Sequence, residues 1–193
     1  AAFVRCPVAH ARIDRVDASA ALAMEGVIAV HTGPDLKADG IGDLIAGWAI
    51  TSKDGSPMKT GVWSPLVTEY GRYVGDAIAI VVAETQAQAR AAAEAVEVDF
   101  EELPAVVFAD KALEEGAAQV HDNVPGNLIY TWELGDEART DAAMANAAHV
   151  TELDIVNNRL SPNAMEPRSA LAIYDEAEDH YTLYTTSQNT HVA

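Results

Sequence analysis

The chain has 193 residues, 49% of them hydrophobic, which suffices for one medium domain or for a small domain and part of another. Its formal net charge of −18 repels phosphate backbones and anionic lipid, so nucleic acid and membrane surfaces are poor candidate partners. The most apolar run, residues 77–83, is far shorter than the roughly 18 residues of a membrane span. The acidic excess either provides solubility, which we favour, or docks to a more basic partner.

A single cysteine, Cys6, excludes an internal disulfide, which suits a reducing compartment. The first residues contain no export signal, so we expect a cytoplasmic protein. We expect Cys6 to be a small buried hydrophobic side chain rather than a reactive thiol. The chain begins without Met and both ends look like interrupted strands, so we expect a piece of a longer protein.

Strand and helix patterns alternate over the first hundred residues. Short apolar runs predict buried strands at residues 27–30 and 76–83. Thr85 then begins an Ala-rich helix, with Gln88 at capping-box spacing. Apolar and acidic residues alternate over residues 96–101, which predicts a half-buried strand with its acidic side chains outward. This order is typical of an α/β layer, although it does not decide whether the strands are parallel.

Residues 38–69 form a long loop, because glycines and prolines interrupt every periodicity there. Such loops are uncommon in compact domains, so this one is either functional or mobile. Its Trp48 and Trp63 favour packing, against the parent domain by preference and against a partner subunit as the alternative.

A turn-rich run at residues 116–127 separates the two halves, and we place a domain boundary there. We expect a helix at residues 141–147, capped by Thr140 or Asp141. The remaining predicted elements are a short helical stretch at 111–115 and strands at 128–134, 150–156, 170–174 and 181–186.

The residue types alone indicate little about the chemistry that this chain performs. The six histidines are scattered and no metal-ligand spacing, P-loop, dinucleotide fingerprint or nucleophile elbow occurs, so we expect no metal held directly by side chains. Charges in the MEPR run at residues 165–168 favour a surface or interface ion pair over an active-site role. Gln188 follows a predicted strand; strand ends bind ligands in α/β proteins, but most glutamines in such places are ordinary exposed residues.

Four stretches of the first half resemble the α/β hammerhead domain of xanthine dehydrogenases, aldehyde oxidases and aerobic carbon monoxide dehydrogenases. They are residues 3–13 (FVRCPVAHARI), 26–36 (GVIAVHTGPDL), 72–84, which begin RYVGD, and 96–106. On this resemblance we expect an α/β (α+β) fold, with the hammerhead domain at residues 1–115. The family commonly has Glu-Pro where this chain has Asp76-Ala77, which loosens the turn before the buried strand.

Three later stretches resemble the opening of the adjoining molybdopterin-binding domain, so we assign it residues 116–193. They are residues 158–163 (NRLSPN), 165–168 (MEPR) and 184–189 (YTTSQN). In the family, the Gln of the last stretch hydrogen-bonds an oxo ligand of the molybdenum. The resemblance therefore implies that Gln188 contacts the cofactor and reaches the metal only through that ligand. For the MEPR stretch, the resemblance implies only a structural role near the cofactor domain.

The resemblance implies that the chain is part of the large catalytic subunit of a molybdenum hydroxylase, which is an oxidoreductase. Such an enzyme oxidises an aldehyde, an aromatic heterocycle or carbon monoxide with oxygen from water. The cofactor would be molybdenum-molybdopterin, in the cytosine dinucleotide form. Electrons would pass to a 2Fe-2S small subunit and an FAD-binding medium subunit, in a dimer of heterotrimers.

Residues 127–150 favour a carbon monoxide dehydrogenase-like large subunit. No catalytic residue is expected before Ala193, so the chain alone should be inactive. The alternative is a free-standing hammerhead-like module that binds proteins and has no redox activity, which the acidic surface and the long loop would suit.

Overall fold

The computed structural model describes residues 1–158, 160 and 163–188. Contacts divide the chain into two compact units, Ala1–Glu133 and Leu134–Ala193. In the described part of the chain, no helix combines the length and apolar character needed to cross a membrane.

The first unit contains six strands, three α-helices and two short 3-10 turns among its residues. They are β1 (Ala2–Arg5), β2 (Ala11–Asp17), α1 (Ser19–Leu22), β3 (Val27–Thr32), α2 (Gly33–Ala38), β4 (Tyr70–Gly71), β5 (Ala77–Ala83), α3 (Gln86–Glu94), β6 (Glu97–Glu102) and the 3-10 turns Ala109–Lys111 and Pro125–Asn127.

These strands form two antiparallel sheets, ordered β1-β5-β3 and β4-β2-β6. The strands predicted at residues 76–83 and 96–101 are therefore present as β5 and β6, but they lie in different sheets. The central strand β5 is the most apolar of the chain, as expected of a strand with a neighbour on each side.

Small side chains allow α3 to lie close to the first sheet. Ala89 and Ala92 on this helix are fully buried, and Ala92 belongs to the same core cluster as Val81 of β5. The helix begins with the predicted capping box: Thr85 accepts from the backbone N–H of Gln88, and Gln88 Oε1 accepts from Thr85 N at 3.0 Å.

Cys6 lies in a second core cluster with Ala11, Val67 and Ile78, which confirms the prediction of a buried hydrophobic residue. Its thiol donates to the carbonyl oxygen of Val8 at 3.3 Å. Because the side chain is only 1% exposed, its contribution is to packing.

Strand β6 confirms the predicted alternation at Val98 but not at Phe100, which is 36% exposed. Val98 packs against both core clusters, whereas the acidic residues face arginines of the neighbouring strand β2. Arg12 pairs with Glu101 at 2.8 Å and Arg15 with Asp99 at 2.8 Å. All four side chains are largely exposed, so each pair contributes little to stability.

Residues 39–69 form the predicted long loop, in which the structure describes only an isolated bridge between Thr51 and Pro57. Trp63 packs within the unit, with its ring centroid 5.5 Å from that of His121, as predicted. Trp48 does not, because it is 81% exposed. The parent-domain prediction is therefore wrong for Trp48, at least within the first unit.

Residues 128–134 do not form the predicted strand. The backbone N–H groups of Lys53 and Lys59 donate to the carbonyls of Thr131 and Ile129, at 2.7 and 3.0 Å. These two bonds attach the segment to the long loop, but they do not extend into a ladder. The helix predicted at residues 111–115 is likewise reduced to the 3-10 turn Ala109–Lys111.

The second unit contains α4 (Glu137–Ala145), β7 (Ala170–Asp175) and β8 (His180–Thr185). The helix begins earlier than predicted, because the side chain of Asp136 accepts from Arg139 N at 3.0 Å and so caps it. Thr140 and Asp141, the expected caps, lie inside the helix. The structure describes residues 150–156, and they do not form the predicted strand. Strands β7 and β8 confirm the last two predicted strands.

Candidate functional site

The candidate site lies on the β7–β8 hairpin of the second unit. At the closed end, Asp175 Oδ1 accepts from the backbone N–H groups of Ala177 and Glu178, at 3.0 and 3.2 Å. Beside this turn, the rings of Tyr174 and Tyr181 stack with centroids 4.5 Å apart. These contacts fix the register of the two strands, which pair residue by residue along their whole length.

At the open end of the hairpin, Ala170 pairs with Thr185, and Thr185 Oγ1 donates to the carbonyl oxygen of Ser169 at 3.4 Å. The chain that enters β7 and the chain that leaves β8 therefore begin and end side by side. The structure thus brings residues 165–168 and Gln188, which the sequence marked separately, to the same end of one hairpin.

Gln188 is exposed, three residues beyond the end of β8. Its amide can donate hydrogen bonds and carries no charge at any pH near neutrality. An oxygen atom of a ligand can accept such a bond, and the hydroxyl-bearing Thr186 and Ser187 precede the amide. These hydrogen-bond donors suit a ligand that presents oxygen atoms as acceptors. If that ligand contains a metal, atoms other than these side chains must coordinate it.

The ion pair predicted for the MEPR stretch, at the surface or at an interface, stays a prediction. Glu166 and Arg168 are both exposed, and no bridge between them occurs in the part of the chain that the structure describes. Met165 is fully exposed. The described residues also contain no group of three or more His, Cys, Asp or Glu side chains placed to hold a metal ion.

A second group of polar side chains, in the first unit, was missed by the sequence analysis. His10 and His121, read as scattered, are both buried, and Arg72 lies near His121. The guanidinium of Arg72 lies 5.6 Å from the ring centroid of Tyr70 and donates to the carbonyl of Val120. Only the turn signal of residues 116–127 pointed to this region, and it gave no indication of burial.

Comparison with known families decides the identity of the chain. Residues 1–104 match the model for the aldehyde oxidase and xanthine dehydrogenase a/b hammerhead domain. Residues 120–193 match the model for the molybdopterin cofactor-binding domain. The chain belongs to the aldehyde oxidase and xanthine dehydrogenase family.

Curated and solved members of this family agree. The chain is 34% identical over 202 residues to the carbon monoxide dehydrogenase large chain of Hydrogenophaga pseudoflava, covering 98% of this chain and 24% of that one. The crystal structure of quinoline 2-oxidoreductase from Pseudomonas putida 86 matches with a TM-score of 0.80 and 34% identity, over 97% of this chain and 23% of that one. A Cu,Mo-carbon monoxide dehydrogenase matches with a TM-score of 0.79 and 32% identity, over 99% and 24%.

The expected resemblance and the expected hammerhead fold class are thereby confirmed. The family is one of molybdenum oxidoreductases, as predicted. The chain spans about a quarter of the length of the carbon monoxide dehydrogenase large chains it matches.

Proposed function

We propose that this chain forms part of the large catalytic subunit of a molybdenum hydroxylase and that Gln188 contacts its cofactor. The observation that carries the proposal is the match of residues 120–193 to a molybdopterin cofactor-binding domain. The exposed position of Gln188 at the open end of the β7–β8 hairpin supports its part in that contact.

In this proposal the chain orients the cofactor and does not ligate its metal. The Gln188 amide would donate a hydrogen bond to an oxygen of the cofactor, and residues 165–168 would support the same end of the hairpin. Because the amide does not titrate, the bond persists across the physiological pH range. Molybdenum-molybdopterin, which we propose in its cytosine dinucleotide form, would supply the two-electron oxidation chemistry when bound.

We propose as substrate an aldehyde, an aromatic heterocycle or carbon monoxide, with the added oxygen derived from water. The names of similar proteins support this range, since they include a carbon monoxide dehydrogenase, an aldehyde oxidoreductase and a quinoline 2-oxidoreductase. The residues that select among these substrates are expected beyond Ala193.

The proposed partners are a 2Fe-2S small subunit and an FAD-binding medium subunit, assembled as a dimer of heterotrimers in the cytoplasm. Support comes from relatives that are named as large chains or large subunits, which implies smaller companions. A two-electron oxidation also requires an acceptor for its electrons, which such companion subunits would supply.

The test is metal analysis of the longer protein that contains this chain, purified with its partner subunits. We expect molybdenum in near-stoichiometric amount, and turnover of at least one compound from a panel of aldehydes, N-heterocycles and carbon monoxide. Repeated purifications that contain no molybdenum would rule the proposal out. A matched sample from cells grown without molybdate provides the control, since it should lose both metal and activity.

One observation favours the alternative, a protein-binding module without redox activity. Ile45 and Trp48 of the long loop are 91% and 81% exposed, as side chains at a protein interface often are in the isolated chain. Sequencing the gene past Ala193 separates the two. A glycine-rich GGxFG-type loop soon after this point supports the enzyme, whereas a stop codon supports the module.

A further inference from the structure

His121 lies where the long loop meets the rest of the first unit, and it is only 9% exposed. Its Nδ1 accepts a hydrogen bond from the backbone N–H of Val62 at 3.2 Å. Its ring also packs against the indole of Trp63, with centroids 5.5 Å apart. One imidazole therefore contacts two consecutive residues of the loop.

The loop is shaped to receive this ring. A Cβ atom on Gly61 would lie 2.5 Å from His121 Cε1, closer than atoms can approach, so the ring occupies the space of a missing side chain. Next to it, Asn123 Nδ2 donates to the carbonyl oxygen of Thr60 at 2.8 Å. Residues 60–63 are thus attached by side chains from residues 121–123.

Residues 120–127 are themselves fixed to the unit. Arg72, next to β4, donates from Nε to the carbonyl oxygen of Val120 at 3.0 Å. Asn127 Oδ1 accepts from Val120 N at 2.9 Å, and its Nδ2 donates to the carbonyls of Ala112 and Ala118. His121 therefore connects a firmly held segment to the long loop.

The Val62 hydrogen bond requires an Nδ1 that carries no proton, so it exists only with the neutral imidazole protonated at Nε2. Burial first, and then the charge of Arg72, lower the pKa of His121 below its usual 6.5. His10 also lowers this pKa, and the carboxylate of Asp122 opposes the shift. Burial and the charge of Arg72 thus favour the neutral form that makes the bond.

We propose that His121 is a pH-sensitive switch that holds residues 60–63 of the long loop against the hammerhead domain and releases them when the imidazole takes up a second proton. Protonation removes the acceptor for Val62 N–H and places a buried positive charge near Arg72. The loop that carries the exposed Ile45 and Trp48 would then lose one of its attachments to the hammerhead domain.

The direction with pH follows from the depressed pKa. The released state protonates His121 near the ordinary 6.5, while the attached state protonates it at a lower pH. The released state binds more protons between these two values, so falling pH favours release. The attachment is at full strength above about pH 6.5 and weakens as pH falls below it.

The test is amide hydrogen exchange of the 193-residue chain by NMR between pH 5 and 8, corrected for the intrinsic exchange rate. We expect the protection of Val62 N–H to fall about tenfold or more between pH 7.5 and pH 5. Protection in β5, followed at Ile78 and Val81, should change little, which separates local release from global unfolding.

Two variants complete the test. His121→Asn keeps an acceptor near the position of Nδ1 but cannot titrate, so its Val62 protection should be independent of pH. His180→Asn changes an exposed histidine in β8 and should keep the pH dependence of the unmodified chain. Equal pH dependence in His121→Asn and the unmodified chain would overturn the proposal.

If His121→Asn does not fold, measurements on the unmodified chain still test the proposal. The ¹⁵N shifts of His121 should report the Nε2–H tautomer at pH 7.5, and Val62 protection should fall with the same midpoint as the imidazole titration. An Nδ1–H tautomer, or Val62 protection that does not change with pH, would exclude the switch.

Discussion

Thr85 shows what a local sequence signal can establish. Thr85 and Gln88 have capping-box spacing in the sequence, and both reciprocal hydrogen bonds are present in the structure. The motif could be predicted because it involves atoms only three residues apart, whose geometry the start of a helix fixes.

We expect Thr85→Ala to lower the free energy of unfolding by about 1 kcal/mol, because it leaves a backbone N–H at the start of α3 without its acceptor. Urea denaturation followed by circular dichroism measures the change. Thr51→Ala, at an exposed loop position, should lower it much less. Equal losses in the two variants would show that the cap has no stabilising role.

Thr32 and Asp35 form a second capping box, which the sequence analysis did not identify. Asp35 Oδ2 accepts from the backbone N–H and the hydroxyl of Thr32, at 2.8 and 2.6 Å. These two bonds lower the pKa of Asp35 below its usual 3.8. The same three-residue spacing was present in the sequence, so this helix start could have been found.

We expect Asp35→Asn to reduce stability at pH 7 and to reduce it less at pH 3. A carboxyl with a lowered pKa in the folded state stabilises the fold above its unfolded pKa, and this contribution is lost as pH falls through about 3.8 and below. Thermal unfolding across this pH range measures it, with Asp39→Asn at the end of α2 as control. The same loss at both pH values would contradict this origin.

At the scale of elements, local sequence patterns located β3, β5, α3 and β6 but not the pairing of the strands. β5 lies between β1 and β3, and β6 pairs with β2, although Asp17 of β2 and its partner Glu97 of β6 are 80 positions apart in the sequence. Pairing depends on long-range contacts that no local pattern encodes, so residues 128–134 and 150–156 looked like strands without becoming strands.

Helix α2 illustrates a long-range constraint of another kind. A Cβ on Gly33, the first residue of the helix, would lie 2.2 Å from the carbonyl oxygen of Val67. The added Cβ and the carbonyl oxygen are both bonded directly to the backbone. The clash could therefore be avoided only if the long loop or the helix moved. The sequence showed the glycine, but only the fold shows the contact that requires it.

We expect Gly33→Ala to destabilise the first unit by about 2 kcal/mol or more, as overpacking of a buried position does. Gly42→Ala is the matched control, because nothing lies within 4 Å of its Cβ and its φ is not in the left-handed region. Differential scanning calorimetry should show a lower melting temperature for Gly33→Ala only. A change of equal size in both variants would contradict the contact.

For the whole molecule, the boundary between the two family matches differs from the boundary between the two compact units. The models match residues 1–104 and 120–193, whereas the first compact unit extends to Glu133. Arg72, His121 and Asn123 explain the difference, since their hydrogen bonds attach residues 120–123 to the first unit. A hammerhead domain at residues 1–115 remains our proposal.

We expect a polypeptide of residues 1–133 to be more stable than one of residues 1–115. The longer form keeps the bonds from Asn127 to Val120 and from His121 to the long loop. Limited proteolysis and urea denaturation compare the two. Equal stability, with equal protection of residues 38–69, would show that residues 116–133 contribute nothing to the first unit.

The resemblance, not the residue types, selected Gln188, because an exposed amide after a strand has no distinguishing local signal. The structure adds its position at the end of the hairpin that residues 165–168 share. A structure of the intact, metal-loaded enzyme measures the decisive distance, from the Gln188 amide nitrogen to the nearest oxygen bound to molybdenum. The account predicts a hydrogen bond of about 3 Å; an amide that lies beyond the reach of any cofactor atom would contradict it.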